Sequence, residues 1–317
     1  MKIIFFSIFI AISIHGFSQH VTGEKFSPVY LPSLLKEGRF FLKIPTLTRD
    51  TLLGFCDTGG GYTAIYYSTI QKINLQSKIS QVIIKGGKTN FIYAKDLIDS
   101  NIIPYPAIGN YYKSAIKDAF FEIPDTTEQM DLFTTYVPHD VFLGQFFFIK
   151  NSWTFDYLSG KLFYNTPLNY NTPGENIQSL GFKKDRQGNK RFGHASMQVV
   201  VDGEIINVLF DTGATLLLGE NSEPVFGDKK ATGGSFIAKS IFDTWHKQHP
   251  DWRVIEKAEI TGADLIEVPL VRVGNLSAGP VWFAKRPDEV WSKGMIGTMD
   301  KVVKGAIGGS FLQYFKV

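Results

Sequence analysis

The chain has 317 residues, of which 44% are hydrophobic and 14% aromatic, so it can bury a large core and form about two domains. Its 33 basic and 30 acidic residues leave a formal net charge of +3 and form no clustered basic stripe, which argues against a nucleic-acid partner. A single cysteine excludes an internal disulfide, so the protein must depend on core burial for its stability.

The first eighteen residues have the layout of a secretory signal peptide. Lys2 precedes a long apolar run, and the small residues Gly16 and Ser18 stand at its end. A membrane anchor is the alternative, but polar side chains interrupt the run and leave it short for a spanning helix. We therefore expect an exported protein, periplasmic or secreted, from which residues 1–18 are removed and which keeps no membrane association.

A hairpin is predicted after an extended arm over residues 19–37. Strands over 39–44 and 51–56 are rich in β-favouring residues and end at an Asp-Thr-Gly triplet, residues 57–59. Because the apolar run stops where glycines begin, the pattern is typical of a buried strand that delivers an aspartate into a tight turn.

Further elements follow in the first half of the chain. Apolar residues at helical spacing predict a short helix over 64–75, and two strands around a Gly-Gly pair predict a hairpin over 81–93. Residues 99–128 show no clear period. A hydrophobic-hydrophobic-glycine segment stands at 142–144, and residues 165–178, with two Thr-Pro pairs, form the predicted linker.

The second half repeats this arrangement. A hairpin over 197–210, with an Asp-Gly turn at residues 202–203, leads into a second Asp-Thr-Gly triplet at 211–213. A helix is predicted over 235–248 from the spacing of its apolar residues. A second hydrophobic-hydrophobic-glycine segment stands at 306–308, so each half contributes one aspartate and one glycine segment.

The paired triplets and glycine segments resemble those of the bilobal aspartic peptidases, the pepsin-like and retropepsin-like group. The resemblance covers residues 38–317 and implies an all-β fold of two β-barrel lobes with a few short helices. The N-terminal lobe would span residues 19–170 and contain Asp57, and the C-terminal lobe would span residues 171–317 and contain Asp211. A mobile flap is expected within residues 99–128, where three tyrosines, Tyr105, Tyr111 and Tyr112, are candidates either to close over a substrate or simply to pack.

The resemblance implies aspartic endopeptidase activity on a peptide or protein substrate, with Asp57 and Asp211 as the catalytic pair. Two carboxylates in contact cannot both ionise, so one holds a proton while the other accepts one. A water between them would attack the peptide carbonyl without a covalent intermediate, and we expect no metal, no cofactor and a monomeric enzyme. The expected supporting residues are Thr58, Gly59, Thr212, Gly213, Gly144 and Gly308, with the two threonines locking the turns together.

One departure from the group concerns the residue after each triplet. Pepsin-like members commonly carry Ser or Thr there, whose hydroxyl donates to the aspartate, whereas this chain carries Gly60 and Ala214. Loss of a donor to the ionised form raises the pKa values of the pair, so we expect a less acidic working pH.

A single Asp-Thr-Gly turn could use its carboxylate only to cap the turn. Two such turns, each with its glycine segment, favour a facing pair. The alternative function is a catalytically silent protein that holds peptide or glycan on the same scaffold, and the intact Asp and Thr in both triplets argue against it.

Other reactive side chains have simpler interpretations. Cys56 lies on an apolar strand, which favours a buried core residue over a nucleophile. His246 and His249 could face one way on a helix, but no further ligand accompanies them, which favours a solvated helix end over a metal site. Ser114 and Lys117 match the Ser-x-x-Lys spacing of some acyl-transfer enzymes without their other motifs.

Overall fold

The structure is a computed structural model that describes residues 27–84, 86–106, 116–124, 133–165 and 178–317. We call residues 27–165 the first half and residues 178–317 the second half. The described residues are mostly in β-strands joined by short helices, so the predicted all-β character is confirmed. The predicted signal peptide, most of the linker with the boundary at residue 170, Tyr111, Tyr112 and Ser114 lie outside the described residues.

The strands are numbered in chain order. Those of the first half are β1 (Val29–Leu31), β2 (Ser33–Lys36), β3 (Arg39–Pro45), β4 (Thr51–Cys56), β5 (Ala64–Tyr66), β6 (Ser80–Ile84), β7 (Gly87–Tyr93), β8 (Ala119–Ile123), β9 (Val141–Leu143), β10 (Trp153–Asp156) and β11 (Lys161–Tyr164). Those of the second half are β12 (Ser196–Val201), β13 (Glu204–Phe210), β14 (Thr215–Leu217), β15 (Ala231–Gly233), β16 (Ser235–Ala238), β17 (Val254–Ile255), β18 (Leu265–Val268), β19 (Val271–Val273), β20 (Leu276–Ala278), β21 (Val281–Arg286) and β22 (Gly305–Ile307).

The helices are short and lie between strands. The α-helices are Tyr67–Lys72, Ala94–Leu97, Gln145–Phe148, Glu223–Phe226, Lys239–Gln248 and Gly309–Leu312; Gln76–Lys78 and Glu220–Ser222 are 3₁₀-helices, and Val290–Met295 is a π-helix. Within the ranges given above, no helix has both the length and the apolar composition needed to cross a membrane.

The two large sheets repeat one strand order. The sheet of the first half runs β2-β3-β4-β9-β5-β8-β7-β6, and that of the second half runs β20-β19-β12-β13-β22-β16-β21-β18-β17. In spatial order, the seven strands β3-β4-β9-β5-β8-β7-β6 therefore correspond, one by one, to the seven strands β12-β13-β22-β16-β21-β18-β17. Every pairing between neighbours agrees in direction as well, including the parallel pairs β4·β9 and β13·β22. The duplication in the sequence is thus also a duplication in topology.

Both predicted hairpins that lead to an aspartate are present. β3 pairs with β4, and β12 pairs with β13, each in antiparallel register. At the second hairpin Asp202 and Gly203 have φ angles of 48° and 80°, the positive values that a tight two-residue turn of the primed type requires. The turn chemistry therefore explains why the strands end where they do.

Two helix predictions are wrong in part, and for the same reason. Residues 64–66 form strand β5 and residues 235–238 form strand β16, while the helices begin only at Tyr67 and Lys239. Both strands lie inside a sheet with a neighbour on each side, and most of their side chains are buried. The sequences of such strands are continuous apolar runs, and hydrophobic periodicity alone does not distinguish these runs from a buried helix.

The two halves share a core and a small sheet. The largest buried apolar cluster contains side chains from both halves, among them Phe40 and Phe283. The small sheet runs β1-β11-β10, and residues near Val317 pair with its open edge, since Phe155 and Val317 exchange two backbone hydrogen bonds of 2.7 and 3.0 Å. The last residues of the second half are therefore anchored on the first half.

Candidate active site

Each Asp-Thr-Gly turn is anchored on its glycine segment. Strand β4 delivers Asp57, whose amide donates to Leu143 O at 2.9 Å; strand β13 delivers Asp211, whose amide donates to Ile307 O at 2.9 Å. Leu143 and Ile307 are the residues directly before the segment glycines. The structure therefore brings each predicted glycine segment beside its triplet, through the parallel pairs β4·β9 and β13·β22.

The segment glycines are required because backbone atoms pass close to them. A Cβ at Gly144 would lie 2.7 Å from Tyr62 O, and a Cβ at Gly308 would lie 2.7 Å from Asp211 O. Both distances are shorter than a carbon and an oxygen tolerate, so any larger residue would displace the loop.

The triplet glycines pack against the opposite aspartate. A Cβ at Gly59 would overlap the carboxyl group of Asp211, and a Cβ at Gly213 would overlap the carboxyl group of Asp57. Each carboxyl group therefore lies on the glycine of the other half. Asp57 and Asp211, which are far apart in the sequence, are thus held side by side, with a hydrogen bond between their carboxyl groups.

Thr58 and Thr212 join the two turns by four hydrogen bonds. Thr58 N donates to Thr212 Oγ1 at 3.2 Å, and Thr212 N donates to Thr58 Oγ1 at 3.0 Å. The hydroxyl of Thr58 donates to Phe210 O at 3.0 Å, and that of Thr212 donates to Cys56 O at 3.0 Å. The expected lock is therefore present, and it is nearly symmetric.

The electrostatics of the two aspartates differ. Burial, followed by the charge of Asp211, raises the pKa of Asp57 well above its ordinary value. Burial also raises the pKa of Asp211, but hydrogen bonds from Asp57 and from Gly213 N, 3.0 Å away, oppose this increase. The two carboxyl groups therefore titrate as a pair, with pKa values raised by burial.

Neither residue after the triplets can supply a hydroxyl. A Cβ at Gly60 would lie 2.5 Å from the Phe142 ring, so the ring takes the space that a side chain would need. Ala214 is buried and its methyl group faces Gly308. Apart from the hydrogen bond between the two carboxyl groups, the donors that stabilise a charged carboxylate here are backbone amides, such as Gly213 N on Asp211.

Two site residues were not found from the sequence. His194 contacts the Gly60 carbonyl, and Gln145 hydrogen-bonds both Gly60 and Gly193. The signal that could have found His194 is its place just before the hairpin that leads to Asp211. Its contact with Gly60, however, crosses between the halves, and a pattern within one segment does not show it.

The other candidate residues do not form sites. Cys56 is fully buried, and burial raises the pKa of its thiol, as expected for a core residue. His249 stacks on Trp252, with ring centroids 4.1 Å apart, and bonds Asp202 rather than His246. No group of three or more potential metal-binding side chains occurs in the part of the chain that the structure describes. Tyr105 packs against the main core.

Comparisons with known proteins add no relative: no protein-family model matches the chain, and no curated protein matches it.

Proposed function

We propose that this protein is an exported aspartic endopeptidase with Asp57 and Asp211 as its catalytic pair. The observation that carries the proposal is the contact between two carboxyl groups, one from each half, at the ends of topologically equivalent strands. A pair that retains one proton contains both a general base and a general acid, which is the requirement for activating water.

In the proposed reaction Asp211 acts as the charged partner and Asp57 as the protonated one. Asp211 accepts a proton from a water molecule as the water oxygen bonds to the peptide carbonyl carbon. Asp57 gives its proton to the carbonyl oxygen, which forms a neutral tetrahedral diol. Asp211 then gives its proton to the peptide nitrogen while Asp57 takes one from a diol hydroxyl, the C–N bond breaks, and the carboxylic acid and amine leave with the pair restored. Within the described residues Asp57 Oδ1 is buried without a hydrogen-bond partner, which is the kind of unsatisfied polar atom expected at a catalytic group.

We also propose that the two halves are the lobes of a pepsin-like bilobal fold and that the enzyme acts as a monomer on peptides. The repeated order of seven strands supports two lobes, and because both aspartates belong to one chain, a second copy is not needed to complete the pair. Export is inferred from residues 1–18. Mass spectrometry of the native N-terminus tests it, and recovery of intact Met1 would contradict it.

The decisive experiment is incubation of the mature protein with a diverse peptide mixture from mild acid to neutral pH. We expect cleavage by the wild type and by Asp228→Asn, a control at an exposed aspartate. Asp57→Asn and Asp211→Asn should each abolish nearly all turnover, and the double variant should be little worse, because the pair acts as a unit. Substantial turnover by a folded single variant would refute the paired mechanism. Peptide binding without cleavage would identify the silent binding protein instead.

A further inference from the structure

His194 and Arg39 occupy equivalent positions in the two hairpins. Phe41 pairs with Phe55 in the first hairpin, and Ser196 pairs with Leu209 in the second; Phe55 and Leu209 each stand two residues before an aspartate. Arg39 stands two residues before Phe41, and His194 stands two residues before Ser196. Both side chains are buried and both reach the opposite half, Arg39 through a 3.1 Å hydrogen bond to Ala231 O. The position thus serves contact between the halves in each case.

The contacts of His194 determine its tautomer. Nε2 lies 3.0 Å from Gly60 O, which can only accept, so Nε2 carries a hydrogen. Nδ1 lies 2.8 Å from Thr298 Oγ1, whose hydroxyl also lies 3.0 Å from Met295 O, and burial lowers the pKa of the imidazole, which favours the neutral ring. His194 therefore links the Asp57 loop to the segment that carries Thr298.

Gly60 transmits this contact to Asp57. Gly60 N donates to Asp57 O at 3.2 Å, and the amides of Gly59 and Gly60 lower the pKa of the Asp57 carboxyl group. The Gly60 carbonyl also accepts from Gln145 N at 3.2 Å, so its two lone pairs have two donors. The position of Asp57 therefore depends on where Gly60 is held.

Gln145 holds the backbone beside His194. Its Oε1 accepts from Gly193 N at 2.7 Å, and Gly193 has no room for a side chain, since a Cβ there would lie 2.5 Å from Gln145 O. Gln145 of the first half therefore contacts both Gly60 and the backbone directly before His194.

The other aspartate loop is held differently. The residue equivalent to Gly60 is Ala214, and its carbonyl accepts from the backbone of Gly234 at 2.9 Å. That tether belongs to the main chain, whereas one of the two tethers at Gly60 is the His194 side chain. A substitution can therefore loosen the Asp57 loop without touching the Asp211 loop.

We propose that His194 is a positioning residue for Asp57, which fixes the loop that holds this carboxyl group against Asp211. The proposal rests on the proposed peptidase function and concerns how the pair is kept in register. Within the described residues His194 has no hydrogen bond to either carboxyl group, so it acts through the backbone of the Asp57 loop, at Gly60 and its neighbour Gly59.

The test compares three variants of the mature protein with the wild type, using a peptide that the wild type cleaves. His194→Phe keeps the ring volume and removes both nitrogens, so kcat should fall about 10- to 100-fold while KM stays within about 3-fold. His194→Gln places an amide N–H at the position of Nε2 and should restore most of kcat. His246→Phe makes the same substitution at an exposed helical position and should leave kcat unchanged.

A second measurement separates this proposal from the proposed function. In protein with ¹³C-labelled aspartate carboxyl groups, the NMR titration of Asp57 should move to higher pH in His194→Phe and return in His194→Gln, whether or not the wild type cleaves peptides. If His194→Phe does not fold, Thr298→Val, which removes the hydroxyl partner and keeps the shape, replaces it in both measurements. Wild-type kcat together with an unshifted titration would overturn the proposal.

Discussion

The residue after each Asp-Thr-Gly triplet decides how strongly the neighbouring carboxylate is stabilised. Gly60 is excluded from carrying a hydroxyl by the Phe142 ring, whereas Ala214 has a Cβ to which one could be added. The two positions look equivalent in the sequence, but their surroundings differ. A substitution at only one of them is therefore an interpretable test.

Ala214→Ser should move the limbs of the pH–rate profile to lower pH. The new hydroxyl would donate to the carboxylate of Asp211, and a donor to the ionised form lowers the pKa values of the pair. Steady-state kinetics from pH 3 to 8 measures the shift. Gly60→Ser is the contrasting variant, because its side chain meets Phe142 and should lower stability instead. A profile that stays in place, or moves to higher pH, in Ala214→Ser would contradict the prediction.

The aspartate pair should lower the stability of the fold at neutral pH. The unfolded chain releases the Asp57 proton near its ordinary pKa of 3.8, whereas burial raises the pKa in the folded state. The folded state therefore binds more protons above that pH, and stability is lost as the pH rises. Asp57→Asn removes this titrating group, so its melting temperature at pH 7 should exceed that of the wild type, and the difference should shrink toward pH 3. Calorimetry across this range tests the sign, and an equal difference at every pH would contradict it.

At the scale of elements, the segment between β8 and β9 contributes His139, which is partly buried beside Phe55 and Phe142. His139 Nδ1 donates to Val137 O at 2.6 Å, and Nε2 lies 3.0 Å from the hydroxyl of Tyr66. Four aromatic rings surround it: Phe55, Tyr66, Phe133 and Phe142. Burial lowers the pKa of His139 from 6.5 to about 4, so the ring stays neutral under mildly acidic conditions.

This histidine should make the fold sensitive to acid. Between pH 6.5 and about 4 the unfolded state binds a proton that the folded state resists, so stability falls as the pH drops through this window. His139→Phe loses two hydrogen bonds, so its free energy of unfolding should be lower than that of the wild type. This difference in free energy should shrink by at most about 3 kcal/mol from pH 6.5 to pH 4. Urea denaturation at several pH values measures this. His246→Phe, at an exposed position, should show no such trend, and a constant difference for His139→Phe would refute the prediction.

At the scale of the whole molecule, the halves are joined at three levels. They share a buried apolar cluster, the segment at Val317 pairs with β10, and Thr58 and Thr212 bind the two turns. The threonine contacts are the ones closest to the aspartates. They therefore couple the register of the halves to the geometry of the pair.

A double-mutant cycle should reveal that coupling. Thr58→Val and Thr212→Val each leave buried backbone groups without a partner, so each should destabilise the protein by about 1–3 kcal/mol. Because both belong to one network, the double variant should lose about 1 kcal/mol less than the sum of the single losses. Urea denaturation measures all four corners. Thr261→Val, at an exposed turn, should change stability by less than about 0.5 kcal/mol. Strict additivity would show that the two threonines act independently.

The sequence alone determined the hairpins, the two triplets and the glycine segments. These features depend on local physics: strand patterning, positive φ at an Asp-Gly turn, and glycines where a loop is tight. Local patterning failed at strands β5 and β16, since burial inside a sheet removes the alternation that identifies a strand.

Only the tertiary structure decided how the site is assembled. Thr58 and Thr212 are 154 residues apart, and His194 lies 134 residues from Gly60. No local sequence pattern can therefore include both members of either contact. The repeated triplets predicted that each half supplies an aspartate. The raised pKa values of the pair and the hold on the Gly60 carbonyl depend on burial and on neighbours from the other half, which are in place only once both halves pack. Gly60 has no room for a side chain because of Phe142, which is distant in sequence but belongs to the same half.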